Sequence, residues 1–283
     1  MLGWEESKVD AGLVFLALRP RGSFYSDTDP PAWPRSDVEP WRFYRRLSYN
    51  RRPVLVRDTS DGPELLWGFR HLSEAWPLLY GTLIDSRYPA ESRELGELMG
   101  ALARRRGKEF EGKVAALYER SDRFKVLAGR DTFGGVRVAD ENGNPLGDID
   151  VLAAELARRT LWAVDAKDLT GTLTPSDLAR ELKKVFQVGG TKRSQMQRHL
   201  ARLAWLEAHR TEALADLGLA TEDADGWKVE GMFVTPQPVA APFVREPALP
   251  VLSFRELRHR LDQAPKPSRP QRPKKRGNKR RRR

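Results

Sequence analysis

Residues 147–168 read GDIDVLAAELARRTLWAVDAKD, and this stretch decides the fold. Two apolar runs, residues 151–154 and residues 161–164, flank a short polar turn at residues 158–160. Two strand-like runs joined by a loop of about four residues are typical of a β-hairpin. We therefore expect an antiparallel hairpin at the centre of the molecule.

The position of the turn determines which residues face each other across this hairpin. A turn centred just after Ala157 places Asp150 directly opposite Asp165, with Cβ atoms roughly 4.5–5.5 Å apart. Because side chains alternate along a strand, Lys167 and Asp148 lie on the same side as this pair. The open end of the hairpin is therefore expected to gather two or three carboxylates and one lysine.

Carboxylates that face each other directly across a sheet repel, so stability alone does not explain this arrangement. A bound divalent cation removes the repulsion, and Mg²⁺ prefers carboxylate oxygens as ligands. A lysine beside such a cation can orient or deprotonate a water molecule, or stabilise the charge of a phosphate. The alternative is that these are ordinary surface charges at the solvated end of a hairpin.

The spacing of these charged residues resembles a known signature. Asp150, fourteen intervening residues, Asp165, one further residue and Lys167 resemble the motif of the PD-(D/E)xK nuclease superfamily. Ile149 stands where the family has the proline of its name, and Asp165 stands where glutamate is commoner. The resemblance extends over residues 95–260. It implies an α/β fold with a restriction-endonuclease-like core, in which a mixed central β-sheet is flanked by helices.

A helical segment before the hairpin carries a further candidate. Residues 106–114, RGKEFEGKV, resemble the family's first-motif helix, where a Gly-x-x-Phe-Glu pattern supplies a glutamate. That residue is Glu111, next to Phe110, and the resemblance implies that it supports the metal or its water. The alternative is a surface position, which is also expected for Glu109 because it can pair with Lys113 at i,i+4.

The resemblance also implies a role for each residue of the hairpin. Asp150 and Asp165 would hold Mg²⁺, for which Mn²⁺ can substitute, together with the backbone carbonyl of Ala166. Lys167 would position the attacking water and stabilise the phosphate charge. Asp148 is the nearest substitute ligand if Asp150 is not the main one.

The composition narrows the class of protein. The chain has 283 residues, no cysteine and four histidines, which argues against a disulfide framework and against zinc sites. The apolar residues 12–18 are too few to span a membrane, and they lack the basic lead-in of a signal peptide. We expect them to form a buried strand or core segment of a cytoplasmic protein without a membrane partner.

The basic charge is concentrated in the C-terminal tail, residues 263–283. Four lysines and seven arginines, with no acid, account for the whole formal net charge of +11. The net charge of residues 1–262 is therefore zero. With almost nothing apolar to bury, this tail is expected to be disordered. Such blocks of like charge often bind nucleic acid with salt-sensitive affinity, although a nuclear-import signal has a similar composition.

Three segments are expected along the chain. Residues 92–262 form the nuclease-like domain, which follows an N-terminal segment of unknown role, residues 1–91, and precedes the basic tail. The domain is predicted to begin with a helix over residues 92–120, interrupted at Gly107.

A later helix is predicted over residues 191–209, with Thr191 as its N-cap. Helical spacing places an apolar stripe on its buried side, formed by Met196, Leu200, Leu203 and Leu206. Its exposed side is expected to carry basic residues that include Arg193, Arg198 and Arg202.

These observations favour a metal-dependent nuclease that hydrolyses phosphodiester bonds, in DNA rather than RNA. The sequence leaves open whether the chain forms a homodimer or binds a partner in a larger complex. One alternative is a catalytically inactive nucleic-acid-binding module on a nuclease-like fold. Another is a scaffold whose basic tail does all the binding.

Overall fold

The structure is a computed structural model that describes residues 5–19, 48–88, 90, 92–169, 172, 175–186 and 193–263. The predicted disorder of residues 264–283 and the predicted cap at Thr191 lie outside the described residues. The chain divides into two compact units, Met1–Arg105 and Arg106–Arg283.

The first unit contains a small three-stranded sheet. Its elements are α1 (Glu6–Leu16), β1 (Ala17–Leu18), β2 (Val54–Thr59), β3 (Gly62–Trp67) and α2 (Phe69–Ile84). The strand order is β1-β2-β3, with β1 parallel and β3 antiparallel to the central strand.

The prediction of a buried strand or core segment over residues 12–18 is wrong. Most of this run belongs to the helix α1, which contains no buried residue, and only Ala17–Leu18 is a strand. The helix starts in the preceding polar residues, where Lys8 pairs with Glu5 at 3.3 Å. Glu6 in the first turn also favours a helix because it interacts with the helix dipole.

The second unit is built on a five-stranded mixed sheet with the order β10-β9-β8-β7-β4. A long helix, α3, contains the division between the units and leads into this sheet. The elements are α3 (Arg93–Glu119), β4 (Phe124–Arg130), β5 (Thr132–Phe133), β6 (Val136–Arg137), β7 (Ile149–Glu155), β8 (Thr160–Ala166), α4 (Pro175–Glu181), α5 (Gln195–Ala208), α6 (Arg210–Asp216), β9 (Lys228–Thr235), α7 (Ala241–Val244), β10 (Val251–Ser253) and α8 (Phe254–Gln263).

The predicted hairpin is formed by the central strands β7 and β8. They pair antiparallel, with Val151 opposite Val164 and Glu155 opposite Thr160, which is the register that the turn position predicts. Every residue of both strands is buried. One face of the hairpin packs against α3 and α8, and the other packs against α5 and α6. The predicted mixed α/β fold, with a central sheet flanked by helices, is confirmed.

The helix α3 is continuous, so the predicted interruption at Gly107 is wrong. A glycine inside a helix costs about 1 kcal/mol relative to alanine. Burial of Phe110, Val114 and Tyr118 against the sheet outweighs this cost, since each large buried side chain contributes about 1.5–3 kcal/mol. Among the described residues, no helix is long and apolar enough to cross a membrane.

The helix α5 begins after Ser194. The Ser194 hydroxyl accepts a hydrogen bond from the backbone N–H of Gln197, and the side-chain oxygen of Gln197 accepts one from the backbone N–H of Ser194. Its buried face differs from the predicted one. Leu200 is 39% exposed, whereas Arg202 and Trp205 are buried. The helix is rotated so that it buries both the large indole of Trp205 and the guanidinium of Arg202, which pairs with Asp165.

This rotation is testable with two leucines on one helix. Leu206 is fully buried and Leu200 is partly exposed. Leu206→Ala should lower the free energy of unfolding by about 2–5 kcal/mol, because it leaves a cavity in the core. Leu200→Ala should cost less than about 1 kcal/mol. Urea unfolding of both variants checks this, and equal losses would contradict the observed face.

Candidate metal centre

The end of β8 and the start of β7 bring three of the predicted residues together. The ammonium of Lys167 lies 3.2 Å from Asp150 Oδ2 and 2.5 Å from Asp165 Oδ1. The backbone N–H of Ala166 donates to Asp150 Oδ2 at 2.8 Å. On the other side of the strand, the N–H of Lys167 donates to the carbonyl of Val234 in β9. Both adjacent strands therefore fix the position of the lysine.

A cluster of three carboxylates lies beside this lysine. Glu111 of α3, Asp148 and Asp150 each place a carboxylate oxygen within 4.8 Å of the other two. Lys108 Nζ lies 2.7 Å from Glu111 Oε2 and 3.3 Å from Asp148 Oδ2. Glu111, which was predicted to support the metal, thus lies close in space to Asp150. We call these three carboxylates the acidic cluster.

Asp148 was expected opposite Lys167, but its carboxylate pairs with Lys108 instead. The strand β7 begins only at Ile149, so Asp148 lies before the regular pairing and its side chain reaches α3. Gly147 has a φ of +86°, which favours glycine and turns the chain just before the strand. This turn places the substitute ligand of the sequence analysis inside the acidic cluster.

The other predicted ligand, Asp165, lies behind the acidic cluster with a fully buried side chain. Its Oδ2 accepts from Arg202 Nη2 at 2.9 Å. Its other oxygen faces Lys167, so the carboxylate already has a cation at each oxygen. The structure thus groups Asp148, rather than Asp165, with Glu111 and Asp150.

The sequence analysis missed Arg202, because it assigned this residue to the exposed side of its helix. Its side chain is only 7% exposed, and it also donates to the backbone carbonyl of Asp148. One signal could have revealed it, because Arg202 stands three residues before Trp205 at helical spacing. In the structure Asp165 lies on the same face of β8 as Ala163, which packs towards α5.

A second ion pair connects α3 to the end of the hairpin. Arg106 Nη2 lies 2.8 Å from Asp168 Oδ2, one residue beyond Lys167. Together with the contact between Lys108 and Asp148, it holds the helix that carries Glu111 against the strand ends. Glu111 is therefore positioned by charge pairs as well as by the apolar packing of α3.

The buried charges shift the pKa values of Asp150 and Asp165 in opposite directions. Burial, with the nearby charge of Asp165, raises the pKa of Asp150 to about 8. Burial also acts to raise the pKa of Asp165, but Lys167 and Arg202 outweigh it and lower that pKa to about 2. The pKa of Lys167 is raised, because the two aspartates outweigh its desolvation. These shifts favour the neutral form of Asp150 and the charged forms of Asp165 and Lys167.

These properties fit a bound cation. Three carboxylates converge within ligand distance of one another, and a lysine ammonium already bonds to two of them. Glu111, Asp148 and Asp150 could therefore hold a metal ion. An all-oxygen donor set suits hard cations such as Mg²⁺, Ca²⁺ or Mn²⁺.

Comparison with known proteins gives one family. The model of the family described as "Anti-phage protein Upx-like" matches residues 13–222 of the chain, which include the acidic cluster, Lys167 and Arg202. No curated protein and no solved structure shows a significant match.

The pairing of Asp165 with Arg202 leads to a stability prediction. Arg202→Met should lower the free energy of unfolding by about 3–5 kcal/mol, because it leaves a buried carboxylate without one of its two cations. Arg198→Met, on the exposed side of the same helix, should cost less than about 0.5 kcal/mol. Urea unfolding measures both. Adding Asp165→Asn to Arg202→Met should recover part of the loss, and a further loss instead would contradict the assigned pairing.

The raised pKa of Asp150 leads to a prediction for metal binding. A metal ion binds the ionised carboxylate and competes with the proton, so metal affinity should rise by up to about tenfold per pH unit and level off above about pH 8. Calorimetry at pH 7 in buffers of different ionisation enthalpy should detect about one proton released per ion. An affinity that does not change between pH 6 and pH 8 would contradict the raised pKa.

Proposed function

Since this chain belongs to the Upx-like family of anti-phage proteins, we propose that it acts in defence as a metal-dependent nuclease. The reaction is hydrolysis of phosphodiester bonds, in DNA rather than RNA. The observation that carries this proposal is the position of Lys167, between carboxylates from two adjacent strands and beside the acidic cluster. The PD-(D/E)xK nucleases, which the sequence resembles, combine the same residue types in this order along the chain.

In this proposal the metal is Mg²⁺, held by Glu111, Asp148 and Asp150. When bound, it lowers the pKa of a water molecule and offsets the negative charge that develops on the phosphate. The exposure of Asp148 leaves room for water and a phosphate oxygen beside the cluster, since its side chain is 41% exposed. Mg²⁺ characteristically retains several such ligands.

Lys167 acts as a charged donor. Its raised pKa keeps it protonated near neutral pH, so it orients the attacking water and stabilises the phosphate rather than removing a proton. Asp165 holds this ammonium in place and is itself held by Arg202. Asp165 is thus a positioning residue in our proposal, and its role differs from the metal ligand that the resemblance implies.

The basic tail, residues 263–283, supports nucleic acid as the substrate. It carries the whole formal net charge of the chain, and each phosphate that it neutralises releases counterions. This contribution to affinity is independent of sequence and falls as salt rises. The tail would therefore concentrate nucleic acid near the nuclease unit, and the acidic cluster would supply the chemistry.

The second candidate is a nucleic-acid-binding module without catalytic activity. One observation favours it: Lys108, Lys167 and Arg202 already pair with most of the carboxylates, so the site is compensated in charge without a metal. The burial of Asp150 argues against it, because a module without a metal would gain by replacing a buried acid with an apolar residue.

A cleavage assay tests the proposal. The full chain should cut at least one member of a panel of plasmid, linear duplex, single-stranded DNA and RNA with Mg²⁺ or Mn²⁺, and none with EDTA. Lys167→Ala and Asp150→Asn should each lower the rate by at least about a hundredfold. The first variant removes the positive charge that stabilises the phosphate, and the second removes a metal ligand. Lys113→Ala, which removes an exposed charge on α3, is the matched control.

Thermal unfolding of each variant shows whether a lost activity reflects a lost fold. Full activity in both Lys167→Ala and Asp150→Asn would refute the mechanism. Salt-sensitive binding without cutting on any substrate would favour the binding module.

A further inference from the structure

We propose that Lys108 is a built-in counter-ion of the acidic cluster, displaced when a divalent cation binds and then available to the substrate phosphate. This inference rests on the proposed function, since it assumes that the cluster receives a metal. It assigns a role to a residue outside the sequence motif, one turn of α3 before Glu111.

The contacts of Lys108 place its ammonium inside the cluster. It bonds to Glu111 Oε2 at 2.7 Å and to Asp148 Oδ2 at 3.3 Å, and these two residues also offer ligand atoms to a metal. An ammonium at these two carboxylates hinders a divalent cation, because the two positive charges repel and draw on the same pair of acidic side chains. The two cations therefore compete for one position.

The two lysines of the site are held very differently. The side chain of Lys167 is 26% exposed and contacts two almost fully buried carboxylates. The side chain of Lys108 is 64% exposed and contacts carboxylates nearer the surface. Lys108 can therefore leave at little cost, because its stem is already solvated and exposed ion pairs are weak.

The charge balance explains why a counter-ion is present. Asp165 is compensated by Lys167 and Arg202. Among the described residues, Lys108 is the cation that pairs with Glu111 and Asp148. Without it, these two carboxylates repel each other beside Asp150. A divalent cation supplies one charge more than the ammonium.

Once displaced, the ammonium stays on a flexible stem beside the metal. The nearest new anion is then the phosphate that the metal binds, and a lysine is a suitable point charge for it. Lys108 thus changes partner from protein carboxylate to substrate phosphate. Its removal should strengthen metal binding and weaken substrate binding, a combination that a purely structural ion pair does not produce.

The first measurement is Mn²⁺ binding to the full chain, followed by the electron paramagnetic resonance signal of the free ion. Lys108→Ala should bind Mn²⁺ about fivefold more tightly, the gain expected from removing two weak competing ion pairs. Lys113→Ala removes the same charge from an exposed position on the same helix and should change the affinity less than twofold. Lys108→Arg should stay close to the parent.

The second measurement is binding of a short duplex in Mn²⁺, with Lys167→Ala as the background so that the duplex stays uncut. Adding Lys108→Ala should weaken duplex binding several-fold, and adding Lys113→Ala should change it less. With EDTA the effect of Lys108→Ala should disappear, because the ammonium then remains with its carboxylates.

An unchanged or weaker Mn²⁺ affinity in Lys108→Ala would overturn the counter-ion role. Tighter Mn²⁺ binding with unchanged duplex affinity would overturn the phosphate contact. If Mn²⁺ binds more tightly to Lys108→Ala as expected but no substrate is cut, the nuclease proposal fails and the counter-ion role stands. If no Mn²⁺ binds to the parent or to Lys108→Ala, both proposals fail together.

Discussion

The buried carboxylate of Asp165 is the constraint on which the rest of the site depends. Ionised groups lose several kcal/mol of hydration when they are buried, so a cation must approach each oxygen. Lys167 supplies one and Arg202 the other. The contact between Arg202 and Asp165 determines how α5 is rotated. This rotation brings Trp205 into the core and leaves Leu200 towards solvent. A single carboxylate thus relates the position of the lysine to the packing of a whole helix.

The exposure of the charged side chains increases outwards from Asp165. The side chains of Asp165 and Asp150 are almost fully buried, Glu111 and Asp148 are partly exposed, and Lys108 is mostly solvated. The inner charges are fixed because their partners are also buried. The outer charges can exchange partners because water screens them. In the proposed mechanism, the rigid interior positions Lys167, and the outer carboxylates exchange Lys108 for a metal ion.

Local rules were sufficient to predict the hairpin and its charged end. The length of the turn sets the register, and alternation along the strands then places Asp150, Asp165 and Lys167 together. The rotation of α5 was not predictable in this way, since it depends on a contact between residues 37 positions apart. The continuity of α3 likewise depends on packing that outweighs the propensity of Gly107. Asp148 joined the cluster because the strand begins one residue later than a regular hairpin requires.

The burial of β7 and β8 on both faces has a consequence for how a polymer would reach the site. Within the second unit, helices cover the two broad faces of the hairpin, so the partly exposed carboxylates, Glu111 and Asp148, meet solvent where the strands end. In the proposed nuclease, a reactive group at such an edge would approach a nucleic-acid chain from the side. A long or circular molecule could then be engaged at any point along its contour, without a free terminus having to be threaded through the protein.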